Sequence, residues 1–360
     1  MSKFSEVVRD KLEGHSETVN SIDIKKPVQQ SEFHQEDSSN YLAQPQFQDY
    51  GLLLSASADK SMAIWDLRLN KRIMMISDSV NIDDEIVKAK FIGDHSVICA
   101  WSNQVAIFDV RKPSILMRES KLIQQGANDE INDIDFNVIE ENKIQLATCD
   151  DTGQAYLYEL NINEDQQYTL EPKQTLQNKH SNICFKTMFS KQSPTLLYTA
   201  AFDYKLVQWN LKDLKKSCSK NIVDIVTKNF GEQSLHYNPP FIYCMDTYTY
   251  KDSEYLVVGL GNGCLLRFKK KDLQLEEIDA DLHGDQISSL IINQTDQIVI
   301  TGSNDKTIAL HRMKDDRLIE QTLFRFEVEE KINEIAIRNS FREIYVADLS
   351  KTISKFTIRE

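Results

Sequence analysis

The chain has 360 residues, 41% of them apolar, and a formal net charge of −13. A folded chain of this size withdraws roughly three quarters of its surface from water, so a large core is available. Its acidic balance repels phosphate backbones and argues against general nucleic-acid binding, and the run Lys269-Lys270-Lys271 reads as a solvated turn rather than a basic patch.

The opening stretch, MSKFSEVVRDKLEGH, is charged and lacks a continuous apolar region, so no signal peptide is expected. No run approaches the roughly 18 consecutive apolar residues of a membrane helix. Six cysteines, Cys99, Cys149, Cys184, Cys218, Cys244 and Cys264, show no CxxC spacing. Most lie in apolar runs, where a free thiol behaves as a small hydrophobe. That usage fits a reducing compartment, and the expectation is a soluble cytoplasmic or nuclear protein.

One unit then recurs along the chain: a polar lead-in, a short apolar strand, a second apolar strand ending in small residues, an Asp or Gly turn, and a third strand with an aromatic near its end. Repeat one is GHSETVNSIDI from Gly14 and LLLSASADKSMAIWDLR from Leu52 to Arg68. Repeat two is DEIVKAKFI from Asp84 and SVICAWSNQVAIFDVR ending at Arg111. Repeat three is DEINDIDF from Asp129 and IQLATCDDTGQAYLYEL ending at Leu160. Repeat four is HSNICFKTMF from His180 and LLYTAAFDYKLVQWNL ending at Leu211. Repeat five is FIYCMDTY from Phe241 and YLVVGLGNGCLLRF ending at Phe268. Repeat six is HGDQISSLII from His283 and QIVITGSNDKTIALHRM ending at Met313. Repeat seven is EKINEIAI from Glu330 and EIYVADLSKTISKFTI ending at Ile358.

Seven units at roughly 40 to 50 residues match the period of propeller repeats. Helical arrays of similar period are contradicted by the short β-branched runs with turn residues on both sides. The expected fold is all-β, a seven-bladed β-propeller occupying residues 1–360 as one domain. Each blade needs four strands, yet repeat seven ends after its third. The segment from Phe4 to Leu12 is expected to complete the last blade and close the ring, leaving no open edge. Two departures interrupt the pattern. Residues 25–50, rich in Gln, Ser and acids, are expected to form a largely disordered loop in repeat one. Residues 212–240 are expected to hold an outer strand around Ile222 to Val226 and then a loop.

Certain polar residues recur at equivalent places. Repeat one carries His15, Ser57, Asp59 and Trp65; repeat four carries His180, Thr199, Asp203 and Trp209; repeat six carries His283, Thr301 and Asp305, with Leu310-His311 where a Trp-Asp pair is expected. These positions resemble the WD-repeat family. That resemblance implies a buried network in which His, hydroxyl, Asp and Trp satisfy one another and the backbone of a tight turn. His, Ser and Asp together look like a catalytic set, but recurrence at equivalent positions favours a structural role. The GLGNG stretch, Gly259 to Gly263, sits at a second turn and reads as a tight turn rather than a phosphate loop. Asp23, Asp133, Asp135 and Asp246 fall on first strands, where a catalytic propeller would carry its carboxylates. Strand alternation makes them blade-surface charges instead. No catalytic residue, cofactor or metal site is expected.

Within the family, NDEINDIDF with the CDDTG turn (Cys149 to Gly153), KHSNIC (Lys179 to Cys184), NPPFIY and EKIN followed by VADLSKTISKF resemble a branch implicated as substrate-receptor candidates of cullin-4 RING ubiquitin ligases. The resemblance implies a docking box of small residues, an Asp and then Trp-Asp-x-Arg. Leu54 to Arg68 fits it, with Trp65, Asp66 and Arg68 at its end; AIFDVRK is a weaker copy with Phe108, Asp109 and Arg111. Arginine's planar fork suits such an interface. The implied function is a protein-binding scaffold that serves as a ligase substrate receptor, with the ligase adaptor and a target protein as partners and neither nucleic acid nor membrane. The alternative is a general scaffold in a chromatin or trafficking complex.

Overall fold

The computed structural model describes residues 6–25, 51–78, 80–93, 95–111, 114–140, 142–163, 167–176, 180–213, 215–231, 238–251, 253–314, 317–338 and 341–359. The first five residues and, apart from Lys25, the loop expected at 25–50 lie outside them. The strands fall into seven antiparallel sheets whose first strands are Val19–Ile24, Lys88–Ile92, Ile131–Glu140, Cys184–Phe189, Ile242–Tyr250, Ile287–Asn293 and Ile332–Arg338. These are blades one to seven. Their first strands stand side by side around a central channel enclosing about 460 Å³.

The second strands explain why the repeats were visible. Leu52–Ser57, Ser96–Trp101, Leu196–Ala201 and Ile298–Ser303 are buried at every position. A sheet covered on both faces reads as an unbroken apolar run, not as an alternation. In blade one, Leu52 and Leu54 face blade two, against Phe91, Val97 and Trp101, while Leu53 faces Tyr345 and Ala347 of blade seven. Each fully buried side chain of this size contributes about 1.5–3 kcal/mol. One apolar cluster fills each blade-to-blade junction, blade seven to blade one included. An open row of seven sheets would lack that last junction, so the ring is closed.

The closure uses the start of the chain. Strand Glu6–Glu13 pairs antiparallel with Thr352–Arg359 as the outer strand of blade seven, from Glu6 opposite Arg359 to Glu13 opposite Thr352. Leu12 is buried in the junction with blade one. Arg9 and Lys11 both reach Glu329, at 2.5 and 2.9 Å. Of the expected clasp, only Phe4 and Ser5 fall outside the described residues.

Between blades four and five the chain differs from expectation. The outer strand of blade four is Lys215–Asn221, and Ile222–Phe230 is an α-helix, so Ile222 to Val226 is not a strand. Asn221 caps the helix by accepting the N–H of Val223 at 3.0 Å. Ile222, Ile225 and Val226 recur at helical spacing, and Ile222 and Val226 bury against blades four and five. Their β-branched character suggested a strand; the cap and the period decided for a helix. Gly231, at φ +79°, ends it.

Blade one also gains a strand that the repeat pattern does not contain. After Arg111 the chain crosses back, and Leu116–Met117 pairs parallel with Lys71–Ile76. Met75 N–H donates to Ile115 C=O and Ser77 N–H to Met117 C=O, each at 2.9 Å. The outer edge of blade one is thereby covered by a segment of blade two.

Candidate functional site

The disc has two faces. One carries the turns between second and third strands, such as Ala58 to Ser61 in blade one; the other carries the connections between third and fourth strands, where Arg68 and Arg111 lie.

On the first face three blades share one hydrogen-bonded arrangement. His180 places Nδ1 3.1 Å from Asp203 and Nε2 2.8 Å from the Thr199 hydroxyl, which accepts the Trp209 indole N–H at 2.9 Å. In blade one His15 contacts Asp59 at 3.0 Å and Ser55 at 2.8 Å, and Trp65 donates to Ser55 at 2.8 Å. The hydroxyl of this network is therefore Ser55, not Ser57. Ser57 lies two residues closer to the turn, where it accepts the Asp59 N–H and donates to Glu17 C=O. In blade six His283 contacts Asp305 at 2.9 Å and Thr301 at 2.8 Å. His311, not a Trp, occupies the third-strand position, 3.1 Å from Thr301. The correspondence sets Arg312 opposite the family's Asp.

The carboxylates of these networks are strongly held. Burial works against ionisation of Asp59, Asp203 and Asp305, yet bonds from His15, His180 and His283 and from local hydroxyl and N–H groups outweigh it. All three pKa values lie well below the usual carboxylate range. Blade three has no such His. There Asp150 accepts the Tyr156 hydroxyl at 2.7 Å and the N–H groups of Asn128 and Asp129 at 3.2 Å. The glycine-rich stretch of blade five is a turn: Gly263 has φ +79° and its N–H donates to Leu260 C=O at 3.2 Å. A Cβ on Gly263 would run into the His283 carbonyl.

The first-strand carboxylates, expected as blade-surface charges, are engaged between blades. Asp133 and Asp246 are buried, and the set stitches neighbouring blades together. Asp23 accepts the Phe91 N–H at 2.9 Å, Asp135 the Phe189 N–H at 2.7 Å, and Asp246 the Ile292 N–H at 2.9 Å. Glu334 accepts the Ile22 N–H at 3.0 Å across the junction of blades seven and one. Lysines complete the charge balance around the channel: Lys90 with Asp135 at 2.6 Å, and Lys88 with Glu334. Position along one strand does not reveal these bonds, because the acceptor's partner lies in the next repeat. Lys270, expected in a solvated turn, instead pairs with buried Glu254 at 3.1 Å.

On the opposite face, Asp66 and Asp109 hold arginines on adjacent blades. Asp66 is buried and accepts the N–H groups of Arg68 at 2.9 Å and Leu69 at 3.3 Å; the Arg68 guanidinium lies 3.5 Å from its other oxygen. Arg111 grips Asp109 with its side chain, Nε at 2.9 and 3.1 Å from the two oxygens. Burial raises the Asp109 pKa, but the Arg111 bonds prevail and hold it below the ordinary value. The side chains of Arg68 and Arg111 remain 39% and 27% exposed, enough for a partner to reach them. Trp65, one residue before Asp66, is buried in the blade network. Lys25 and Gly51, which flank residues 26–50, open at this same face: Lys25 N–H donates to Leu52 C=O, and Leu52 pairs with Asp66.

Comparison with known proteins agrees with this architecture. The family model described as "WD domain, G-beta repeat" matches residues 280–312, which span the start of blade six, its tight turn and its third strand. The chain is 24% identical over 340 residues to the WD repeat-containing protein 53 homolog of Dictyostelium discoideum, covering 86% of this chain and 89% of that protein. Among the described residues no helix is long and apolar enough to cross a membrane. Repeats, ring closure and blade networks together make this chain a WD-repeat β-propeller of seven blades.

Proposed function

We propose that the protein is a non-catalytic interaction scaffold of the cytoplasm or nucleus. In this reading the rim of blades one and two docks the adaptor of a cullin-4 RING ubiquitin ligase, with the rest of the disc left for a substrate protein. The observation that carries the reading is the repeated Asp-x-Arg pair, Asp66 with Arg68 and Asp109 with Arg111, on adjacent blades and one face. A carboxylate, buried at Asp66 and partly buried at Asp109, orients each guanidinium before any partner arrives, which lowers the ordering cost of binding. Exposed apolar groups gather in the same sector. Of the eight large exposed hydrophobics among the described residues, Leu69, Val80, Ile115 and Leu116 belong to blades one and two. The His–Asp–hydroxyl sets are each consumed in blade structure, which supports the non-catalytic reading.

Replacing Arg68 and Arg111 together by alanine tests the docking. Adaptor and cullin should vanish from affinity-purified material while circular dichroism and melting stay close to wild type; undiminished co-purification would end the ligase reading. A second reading, a general scaffold in a chromatin or trafficking complex, is favoured by the fact that each Asp-x-Arg pair also braces its own blade. A stable complex recovered without cullin subunits would support it.

A further inference from the structure

The outer edge of blade one departs from the charge of the chain as a whole. Residues 66–77 and 104–125, which include the outer strands of blades one and two, hold seven basic residues against three acids, in a chain whose net charge is −13. Two of those acids, Asp66 and Asp109, are already paired with Arg68 and Arg111. Lys71, Arg72 and Arg118 are exposed, and among the described residues none of the three is in an ion pair.

Apolar groups are interleaved with these cations. Leu116–Met117 lies parallel beside Lys71–Ile76, with Leu116 opposite Met75. Met75 packs toward blade seven and Met117 toward blade two, so Leu116 stands on the blade-seven flank. Arg72 stands there too, its guanidinium 3.5 Å from the Met75 sulfur and donating to the Gly14 carbonyl at 2.7 Å. Ile115 is pinned by its backbone, whose carbonyl accepts the Met75 N–H at 2.9 Å, yet its side chain is 87% exposed. A fixed backbone leaves that side chain little freedom to fold away from water. Arg118 follows Met117 at one end of the edge, and exposed Leu69 and Lys71 stand at the other. The strand between them has six residues, about 20 Å at the rise of an extended chain.

We propose that this edge binds an extended acidic segment of a partner protein, with Asp or Glu side chains over Lys71, Arg72 and Arg118 and large apolar side chains on Ile115 and Leu116. Charge and shape decide the occupant. A nucleic-acid backbone would match the cations but leave Ile115 and Leu116 in water. An anionic membrane is broad, so it would set its charge against the acidic disc as well as against this edge; a short segment meets the edge alone. The site extends the sector proposed above for docking, but it relies on cations other than Arg68 and Arg111 and is therefore tested apart from the ligase reading.

Fluorescence anisotropy on the full chain tests this with a short labelled peptide that alternates glutamate and leucine. Two control peptides replace either every glutamate by lysine or every leucine by serine. The mixed peptide should bind at least about tenfold tighter than either control, and its affinity should fall with added salt. Lys71→Gln with Arg118→Glu, both exposed, should weaken it about tenfold with melting unchanged. Ile115→Ser with Leu116→Ser should weaken it to a similar degree at every salt concentration. Arg68→Ala with Arg111→Ala should leave it intact, and vesicles of phosphatidylserine and phosphatidylcholine should not displace it. The proposal is overturned if the lysine peptide binds as well, if the Lys71 and Arg118 substitutions leave affinity unchanged, if only the rim substitutions reduce it, or if the vesicles compete.

Discussion

His311 holds in blade six the place that Trp65 and Trp209 hold in blades one and four: its Nε2 lies 3.1 Å from the Thr301 hydroxyl, and its Nδ1 3.1 Å from Thr322. Burial, followed by the charges of His283 and Arg325, pushes its pKa down to about 3. An unfolded histidine titrates near about 6.5. Between those values the unfolded chain takes up a proton that the folded chain refuses. The stabilisation is thus complete above about pH 6.5 and is lost progressively as pH falls, by up to about 1.4 kcal/mol per pH unit. Urea unfolding at a series of pH values should show a shallower acid slope, by close to one proton, in His311→Phe. Parallel slopes would mean that other groups carry the acid sensitivity.

The hydroxyl of blade one offers a contrast within two residues. Ser55 serves both His15 and the buried Trp65 indole, whereas Ser57 braces the turn and the Glu17 carbonyl, with no buried side chain depending on it. Ser55→Ala should cost about 1–3 kcal/mol, because it strands a buried donor, and Ser57→Ala about 1 kcal/mol or less. Equilibrium denaturation of the two variants distinguishes them; equal costs would contradict the assignment of Ser55.

Removing residues 1–13 strips the outer strand from blade seven and takes Leu12 out of the junction with blade one. Calorimetry should record a loss of several kcal/mol, since a Leu of this kind alone is worth about 2–5 kcal/mol. The uncovered edge at Thr352–Arg359 should also promote association, visible as an earlier elution volume. A monomer with unchanged melting would show the clasp to be dispensable.

Two glycines twenty-one residues apart in the sequence predict opposite outcomes. Gly263→Ala places a methyl against the His283 carbonyl at φ +79° and should destabilise the blade five turn by more than about 1 kcal/mol. Gly284→Ala meets nothing within 4 Å and keeps the N–H that bonds Asp305, so its melting temperature should stay near wild type.

The propeller was legible because its second strands are covered on both faces. LLLSAS, SVICAW and VITGS therefore stand out as apolar runs at a regular period, and the deficit of one strand in repeat seven pointed to the segment ending at Leu12. Features that depend on a neighbouring repeat were not legible. Asp23 and Asp246 read as strand-surface charges because the amides they accept, at Phe91 and Ile292, lie on the next blade. Leu116–Met117 was invisible for the same reason, being a strand of one blade contributed by the next. At Ile222–Phe230 the local sequence is ambiguous, since its β-branched composition favours a strand while a cap and a helical period are both present. Ser55 and Ser57 are indistinguishable in sequence, both being small residues in one buried run, and only the three-dimensional contact with His15 separates them.

The short parallel pairing of Met117 with Ile76 ties the connection that follows Arg111 to the flank of the sheet that carries Arg68. The pairing sits at the end of strand Lys71–Ile76 away from Arg68, so it hinders the two sheets from sliding apart while leaving both guanidinium groups room to adjust. Severing this tether should therefore loosen the seam between blades one and two before it disturbs either Asp-x-Arg pair.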